Sequence, residues 1–226
     1  DRCTSRGLGD VYKRQQGYGQ TEGTTMTFLS HEDHIKAVVN GENTERLLSC
    51  GREGFVTTVR VVDELGNDVA LDGKTPGEII VRSPANMLGY YQRDDLTANT
   101  IKDGWMWTGD IATMDSEHYV FIKDRAKDMI ISGGENIYSV QVEEAICKHP
   151  AVLETAVIGI PDDEWGESVK AYVVLKPETQ ATEQEIIDEA KKNLASYQKP
   201  KFVEFIDELP KAPTGKILKR ILREHN

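Results

Sequence analysis

The sequence predicts an α+β fold, in which a small β-rich region is followed by a compact α+β domain. Residues 51–122 carry short runs of β-branched and aromatic residues separated by turns, whereas helix and strand patterns alternate after residue 138. Between them lies 124–136, with four charges in its first five residues, then an apolar run and a glycine pair. This stretch is typical of a joint between two architectures, although an ordinary surface loop with solvated charges has the same composition.

The composition of the 226 residues is that of a soluble globular protein, with 38% hydrophobic and 29% charged residues. A net charge of −11 argues against broad binding to nucleic acid or to anionic membranes, because both need a basic surface. No apolar run approaches membrane-spanning length, and the three cysteines do not have the spacing of a zinc site. We therefore expect a cytoplasmic protein without a transmembrane segment and without a nucleic-acid partner.

The beginning of the chain has two distinctive segments. Residues 1–15 are basic and have neither apolar periodicity nor a signal-peptide core, so we predict a foreign or disordered leader without function. Residues 17–23, Gly-Tyr-Gly-Gln-Thr-Glu-Gly, predict a loop whose backbone lies against a planar or phosphorylated ligand, or else a tight turn. His31 and His34 have no third ligand nearby and are interpreted as surface residues rather than as a metal site.

The β-rich region predicts strands at residues 55–62, 77–82 and 105–110, with a turn at 63–68. Asp110 follows Gly109 directly, so its carboxylate is held on tight backbone. Such a carboxylate takes both hydroxyls of a ribose or caps a turn, and the sequence leaves both interpretations open.

The region after the joint predicts the order helix, strand, strand, helix, strand. Ser139 is expected to cap the first helix, which Pro150 ends. Strands are expected at residues 152–160 and 169–175, joined by a loop at 161–167. A capping box at Thr182 and Glu185 opens the second helix, and residues 202–206 form the last strand. This pattern describes a small α+β domain of about 100 residues.

The C-terminal segment, 209–220, contains two prolines and a glycine before Lys216 and a short basic helix. Gly215-Lys216 is not a Walker P-loop, because Pro210 stands where that motif has its first glycine and Ile217 replaces Ser or Thr. A basic tail is the alternative interpretation.

Five motifs in a fixed order point to one family. They are Gly-Tyr-Gly-Gln-Thr-Glu from residue 17, Gly-Glu-Ile-Ile-Val from 77 with Leu-Gly-Tyr-Tyr from 88, Trp-Thr-Gly-Asp from 107, Asp-Arg-Ala-Lys-Asp from 124 with Ser-Gly-Gly-Glu-Asn from 132, and Pro-Lys-Ala-Pro-Thr-Gly-Lys from 210. The series resembles the adenylate-forming superfamily, which holds acyl- and aryl-CoA synthetases, luciferases and adenylation domains of peptide synthetases. Within it, Ser-Gly-Gly-Glu-Asn-Ile-Tyr resembles the fatty-acyl and aryl-CoA synthetases.

The resemblance implies a role in acyl-adenylate formation for each matching residue. Tyr18, with Gly19 beside it, resembles the aromatic that stacks on adenine, and Thr21 the hydroxyl near the α-phosphate. Glu22 resembles the carboxylate that binds Mg²⁺. The roles implied farther along the chain are a ribose-diol carboxylate for Asp110, a ribose or phosphate contact for Arg125, a hinge for Lys127 and the catalytic lysine for Lys216.

The resemblance also implies a coenzyme A site. Ser132, Gly133 and Gly134 match the turn that borders the pantetheine channel. The positions that hold the CoA nucleotide in some members are matched by Trp165, Tyr197, Lys199 and Lys201. An aromatic platform with cations suits an adenine and its phosphates, although a surface aromatic with solvated lysines is the alternative.

The family's glycine-rich phosphate loop is absent, and with it most of the acid-binding large domain. We therefore expect residues 16–124 to be the C-terminal part of that domain, 125–128 a hinge and 129–226 a mobile domain. The implied function is an ATP-dependent carboxylate–CoA ligase that uses ATP, Mg²⁺ and coenzyme A on a fatty or aryl acid, with this chain inactive alone. The alternatives are an adenylation domain that serves a carrier protein and a non-catalytic nucleotide-binding module.

Overall fold

The computed structural model describes residues 16–225, which form two compact units, 16–126 and 127–225. The leader expected at residues 1–15 lies outside the described residues. Helices and mixed sheets occur together, so the predicted α+β class is confirmed. No helix in the described part of the chain is both long and apolar enough to cross a membrane.

The first unit contains two antiparallel sheets. One has the strand order β1-β2-β3, and the other has the order β4-β5-β7-β6, with β8 paired to β7. The strands are β1 (Gly17–Gln20), β2 (Thr24–Phe28), β3 (Arg52–Glu53), β4 (Thr58–Val62), β5 (Gly77–Arg82), β6 (Ile101–Lys102), β7 (Trp105–Met114) and β8 (Val120–Arg125). The helices are α1 (His31–Val38) and α2 (Asp94–Thr100), and a 3-10 helix spans Thr44–Leu48.

The core of the first unit lies on one face of the larger sheet. Val59, Val61, Ile79 and Val81 are buried there against Met106 of β7. These residues alternate along β4 and β5, and alternate strand residues point to the same face. The β-branched composition that predicted the strands therefore also supplies the core.

Residues 17–23, expected to form a loop, instead form most of a β-hairpin. β1 and β2 pair antiparallel with an irregularity between Tyr18 and Gly19. A side chain at Gly19 would collide with the backbone carbonyl of Thr24. The hairpin itself therefore requires this glycine, whereas the sequence interpretation assigned it to close approach of a ligand.

Two further expectations for this unit were wrong in detail. The strand expected at residues 55–62 begins only at Thr58. Before it the chain makes a turn, in which the N–H of Thr57 donates to the carbonyl of Gly54. Phe55 lies in this turn and is fully exposed. His34, expected at the surface, is buried and its Nδ1 lies 2.9 Å from the carbonyl oxygen of Ser30. Within the described residues, no group of three or more His, Cys, Asp or Glu side chains has the geometry of a metal site.

The second unit follows the predicted order of helix, strand, strand, helix, strand. Its sheet has the order β10-β9-β12-β11, and β13 pairs with β12 in parallel. The strands are β9 (Ile130–Ser132), β10 (Glu135–Ile137), β11 (Val152–Asp162), β12 (Gly166–Leu175) and β13 (Phe202–Phe205). The helices are α3 (Ser139–Ile146), α4 (Glu183–Lys191) and α5 (Lys219–Glu224).

The sheet of the second unit is apolar on both faces. Val157 and Val173 belong to a cluster with residues of α3 and α4, whereas Ile158 and Tyr172 belong to a second cluster with Leu222 of α5. Strands that are covered on both sides lose the polar alternation of a half-exposed strand. The continuous apolar runs of β11 and β12 are explained by this double coverage.

The capping box at Thr182 and Glu185 is present, but Ser139 does not cap α3. Tyr138 is the N-cap residue and makes no side-chain capping bond, and Ser139 is the first residue of the helix. The loop expected at 161–167 is also shorter than predicted, because β11 continues to Asp162 and β12 begins at Gly166.

Candidate functional site

Asp110 is the centre of a polar cluster in the first unit. It lies in β7, directly opposite Arg125 of β8, and its side chain is buried. One carboxylate oxygen accepts hydrogen bonds from the Tyr18 hydroxyl at 2.7 Å and from the Gln20 amide at 2.7 Å. The other lies 3.2 Å from Nε of Arg125. The structure thus brings together Tyr18, Asp110 and Arg125, which are far apart in sequence.

The backbone before Asp110 is fixed by hydrogen bonds to both the N–H and the carbonyl of Gly109. Gly109 has φ +72°, and its N–H donates to the Glu78 carboxylate at 2.9 Å. The carbonyl of Gly109 accepts the N–H of Ala126 at 2.8 Å. Asp110 lies within a strand and does not cap a turn, so that alternative does not describe its position.

Within the cluster, burial keeps the Tyr18 hydroxyl protonated. Burial, reinforced by the Asp110 charge, raises the pKa of Tyr18 well above its usual range, so its hydroxyl remains a donor. A carboxylate offers about four acceptor positions, and Tyr18, Gln20 and Arg125 occupy three of those on Asp110. By this count, the oxygen that faces Arg125 keeps an acceptor position for one further donor. Gln20 was missed by the sequence interpretation, although it lies two residues from Tyr18 in the same strand.

Glu22 forms a second polar contact in this unit. Its carboxylate accepts a hydrogen bond from the Tyr90 hydroxyl at 2.9 Å, and its carbonyl accepts the N–H of Met87 at 2.7 Å. Burial and the Glu22 carboxylate together raise the pKa of Tyr90, which holds its hydroxyl as a donor. Thr21 is exposed at the hairpin turn beside Glu22. A single carboxylate suits Mg²⁺, which usually takes one or two protein carboxylates and completes its shell with phosphate and water oxygens.

The glycine turn of the second unit lies against Trp165. Gly133 and Gly134 connect β9 to β10 with φ angles of +60° and +84°. The N–H of Gly133 donates to the carbonyl of Trp165 at 2.8 Å, and a Cβ at Gly133 would be 2.8 Å from the indole ring. Ser132 pairs with Gly166, the residue after the tryptophan. Trp165 is half exposed, so one part of its surface is open to a ligand.

Asp162 links Lys201 to the turn that carries Trp165. Its carboxylate accepts the N–H groups of Glu164 and Trp165 at 3.0 and 3.2 Å, and it also accepts a hydrogen bond from Ser168. The ammonium of Lys201 lies 2.7 Å from the same carboxylate. The hydrogen bonds from Lys201 and Ser168 hold the pKa of Asp162 well below its usual range. Asp162 was not identified from the sequence, because its partners lie up to 39 residues away.

Three other implied residues are exposed or partly exposed. Tyr197 is half exposed, Lys199 is partly buried, and Lys216 is exposed on the loop between Pro210 and α5. The loop is closed by hydrogen bonds from the Ala212 N–H to the Lys216 carbonyl and from the Leu218 N–H to the Pro210 carbonyl, both 2.8 Å.

Lys127 lies where the chain passes from one unit to the other. The preceding residue, Ala126, bonds to Gly109 within the first unit. The following residue, Asp128, pairs with Arg223 of α5 at 2.8 Å within the second unit. Lys127 itself is exposed.

Two protein-family descriptions match the sequence. The AMP-binding enzyme family matches residues 5–91, and the AMP-binding enzyme C-terminal domain matches residues 141–216. Within the described residues, the first match covers 16–91 of the first unit and the second lies within the second unit.

Individual relatives are CoA ligases. The chain is 51% identical to a long-chain-fatty-acid–CoA ligase of Yersinia pestis over 74% of this chain and 29% of that protein. It is 41% identical to a feruloyl-CoA synthase of an Amycolatopsis species over 98% of this chain and 42% of that protein. The chain spans 29% to 43% of the length of the curated relatives it matches.

A solved structure supports the same assignment. The o-succinylbenzoate CoA synthetase of Bacillus subtilis, in complex with its acyl-adenylate intermediate, superimposes with a TM-score of 0.81 and 33% identity. The alignment covers 92% of this chain and 40% of that structure. Motif order, family descriptions, relatives and fold agree: this chain belongs to the adenylate-forming enzyme family.

Proposed function

We propose that the whole protein is a carboxylate–CoA ligase acting on a fatty or aryl acid in the cytoplasm. In the first step the acid and ATP give acyl-AMP and pyrophosphate, and in the second acyl-AMP and CoA give acyl-CoA and AMP. The observation that carries the proposal is that one chain holds both the buried Asp110 cluster and the Gly133–Trp165 platform. The first suits a ribose and the second suits a planar group.

In the proposed first step, the first unit supplies nucleotide contacts. Asp110 accepts a ribose hydroxyl at its remaining acceptor position, with Arg125 beside it for the second hydroxyl or a phosphate. Tyr18 offers its ring to adenine, and Gly19, which the hairpin requires, lies beside it in β1. Glu22 would hold Mg²⁺, which would neutralise phosphate charge when bound. Thr21 is exposed next to it and donates to a phosphate oxygen.

Lys216 is proposed as the residue that stabilises the charge developing during attack on the α-phosphate. It is exposed on a loop closed by its own backbone hydrogen bonds, which suits delivery of one cation to a ligand. A preorganised donor at a developing charge typically contributes several kcal/mol, or roughly a hundredfold or more in rate.

In the proposed second step, the glycine turn and Trp165 receive coenzyme A. Ser132, Gly133 and Gly134 border the pantetheine arm, and Trp165 offers its open face to adenine. The nucleotide of coenzyme A and its phosphates are also contacted by Tyr197, Lys199 and Lys201. Lys201 is paired with Asp162, so its ammonium binds that carboxylate and a phosphate at the same time.

Residues 125–128 are proposed as the hinge about which the domain 129–226 turns between the two steps, relative to 16–124. Support comes from the fixed residues on either side of Lys127: the Ala126 N–H bonds to Gly109 and Asp128 pairs with Arg223. When a rotation is concentrated at one exposed residue, few other contacts have to be broken.

The test measures the two steps separately in the full-length enzyme that carries this sequence. Lys216→Ala should reduce acyl-adenylate formation roughly a hundredfold and leave CoA transfer from supplied acyl-adenylate near normal. Lys127→Pro should do the reverse, because proline restricts φ at the hinge. Lys211→Ala, in the same loop, is the matched control and should affect neither step. Equal loss of both steps in Lys216→Ala would contradict the proposal.

A further inference from the structure

The first residue of α5 is held by a buried ion pair three residues after Lys216. The ammonium of Lys219 lies 2.6 Å from the Glu143 carboxylate of α3 and donates to the Ser139 hydroxyl at 2.6 Å. Side-chain exposure is 11% for Lys219 and 4% for Glu143, so both charges are withdrawn from water. The same Glu143 oxygen accepts the N–H of Val157 at 3.1 Å, which ties the pair to β11 as well.

This pair completes a set of anchors around the loop that carries Lys216. Leu209 before the loop and Leu222 after it are buried in one apolar cluster, with Ile217 packed against them. Residues 211 and 217 form a β-bridge across the base of the loop. Lys216 is exposed between these anchors, and Lys219 is the charged anchor nearest to it in the chain.

The location of Lys219 is unfavourable for the helix alone. A cation at a helix N-terminus faces the positive end of the helix dipole, and α5 has no side-chain cap that offsets this. Burying an ion pair also contributes little net stability compared with apolar residues of the same size. The pair instead fixes a position. The Lys219 ammonium is bound to two acceptors of α3, and this holds the start of α5 in one place relative to α3.

We propose that Lys219, through Glu143 and Ser139, is a positioning residue that sets the location of Lys216 for acyl-adenylate formation. This inference rests on the proposed function of Lys216 and adds a residue that touches neither ATP nor the acid. Misplacement of a catalytic group by about 1 Å lowers rates on the order of a hundredfold. Loosening the anchor should therefore reduce the first step and not the second.

The test compares variants of the full-length enzyme. Lys219→Met removes the cation beside the buried Glu143 carboxylate and risks misfolding, so the main variant is Lys219→Met combined with Glu143→Gln, which removes both charges. We expect kcat for acyl-adenylate formation to fall about tenfold to a hundredfold, with KM for ATP and the rate of CoA transfer unchanged. Arg220→Met, which removes an exposed ion pair with Glu224 within α5, is the matched control and should change neither step.

A double-mutant cycle decides whether Lys219 acts through Lys216. In a Lys216→Ala background the Lys219→Met/Glu143→Gln pair should have no further effect, because the group that it positions is gone. Additive losses would overturn the proposal, as would equal loss of both steps or an unchanged first step. If Lys216→Ala alone impairs both steps equally, the role proposed for Lys216 fails instead, and the two failures are distinguishable.

Discussion

Gly133 and Gly134 are adjacent and both have a left-handed backbone conformation, but different atoms surround them. Both have positive φ angles, where an L side chain costs roughly 1–2 kcal/mol. A Cβ at Gly133 would also meet the indole of Trp165, whereas a Cβ at Gly134 would meet no atom within 4 Å. The first glycine therefore serves packing as well as the turn, and the second serves the turn alone.

This difference predicts unequal effects of alanine at the two positions. Gly133→Ala should displace Trp165 and raise KM for CoA in the full-length enzyme several-fold beyond the effect of Gly134→Ala. Thermal denaturation should show a loss of stability from backbone strain in both variants, with an added loss in Gly133→Ala from the contact with the indole. Identical KM values for CoA would mean that the indole position does not matter to CoA binding.

At the scale of the element, one carboxylate organises the turn between β11 and β12. Asp162 accepts two backbone N–H groups of the turn and hydrogen bonds from Ser168 and Lys201. These contacts favour its charged form, so its pKa in the folded chain lies below the value in the unfolded chain. The stabilisation is therefore present above the unfolded pKa of about 3.9 and is lost as pH falls toward the lower folded pKa.

Lys201→Met should raise the pKa of Asp162 toward its ordinary value, because the largest cause of the depression is removed. The stability difference between wild type and variant should be greatest above about pH 5 and shrink as the pH falls below about 4. Side-chain carboxyl NMR of the 226-residue chain measures the pKa, and urea denaturation at several pH values measures the stability. Lys199→Met is the control, since its ammonium is not among the groups bonded to Asp162. A pKa unchanged by Lys201→Met would show that Ser168 and the turn amides suffice.

At the scale of the molecule, the chain consists of two units with separate cores. The apolar cluster around Val59 and Met106 belongs to the first, and the clusters on both faces of β11 and β12 belong to the second. Lys127 lies between Ala126, which bonds to Gly109 within the first unit, and Asp128, which pairs with Arg223 within the second. Exposed backbone with few contacts is where proteases cut folded proteins.

Within residues 16–225, limited digestion with trypsin should therefore cut near Lys127 first and release a stable C-terminal piece. Mass spectrometry identifies the cut, and circular dichroism of the purified piece reports whether it remains folded. Lys127→Gln should slow this cleavage without exposing a new site. Preferential cutting within residues 140–175 would instead indicate that the second unit is not an independent body.

The sequence by itself determined the α+β class, the order of elements in the second unit and the family. Local signals suffice for these: β-branched runs form strands, and the Thr182–Glu185 box opens α4. The motif order specifies the family because each motif is tied to one position in the chain. None of these inferences depends on which distant residues come into contact.

Only the tertiary structure decided the partners of the polar side chains. Ser139 has the chemistry of a helix cap, but the fold makes it an acceptor for Lys219, 80 residues away. Gln20 and Asp162 bond to residues 90 and 39 positions distant, so no window of sequence reveals them. Gly19 is required by the carbonyl of Thr24 across its own hairpin. Hydrogen bonds and ion pairs form between groups that folding brings together, and that proximity is a property of the whole chain.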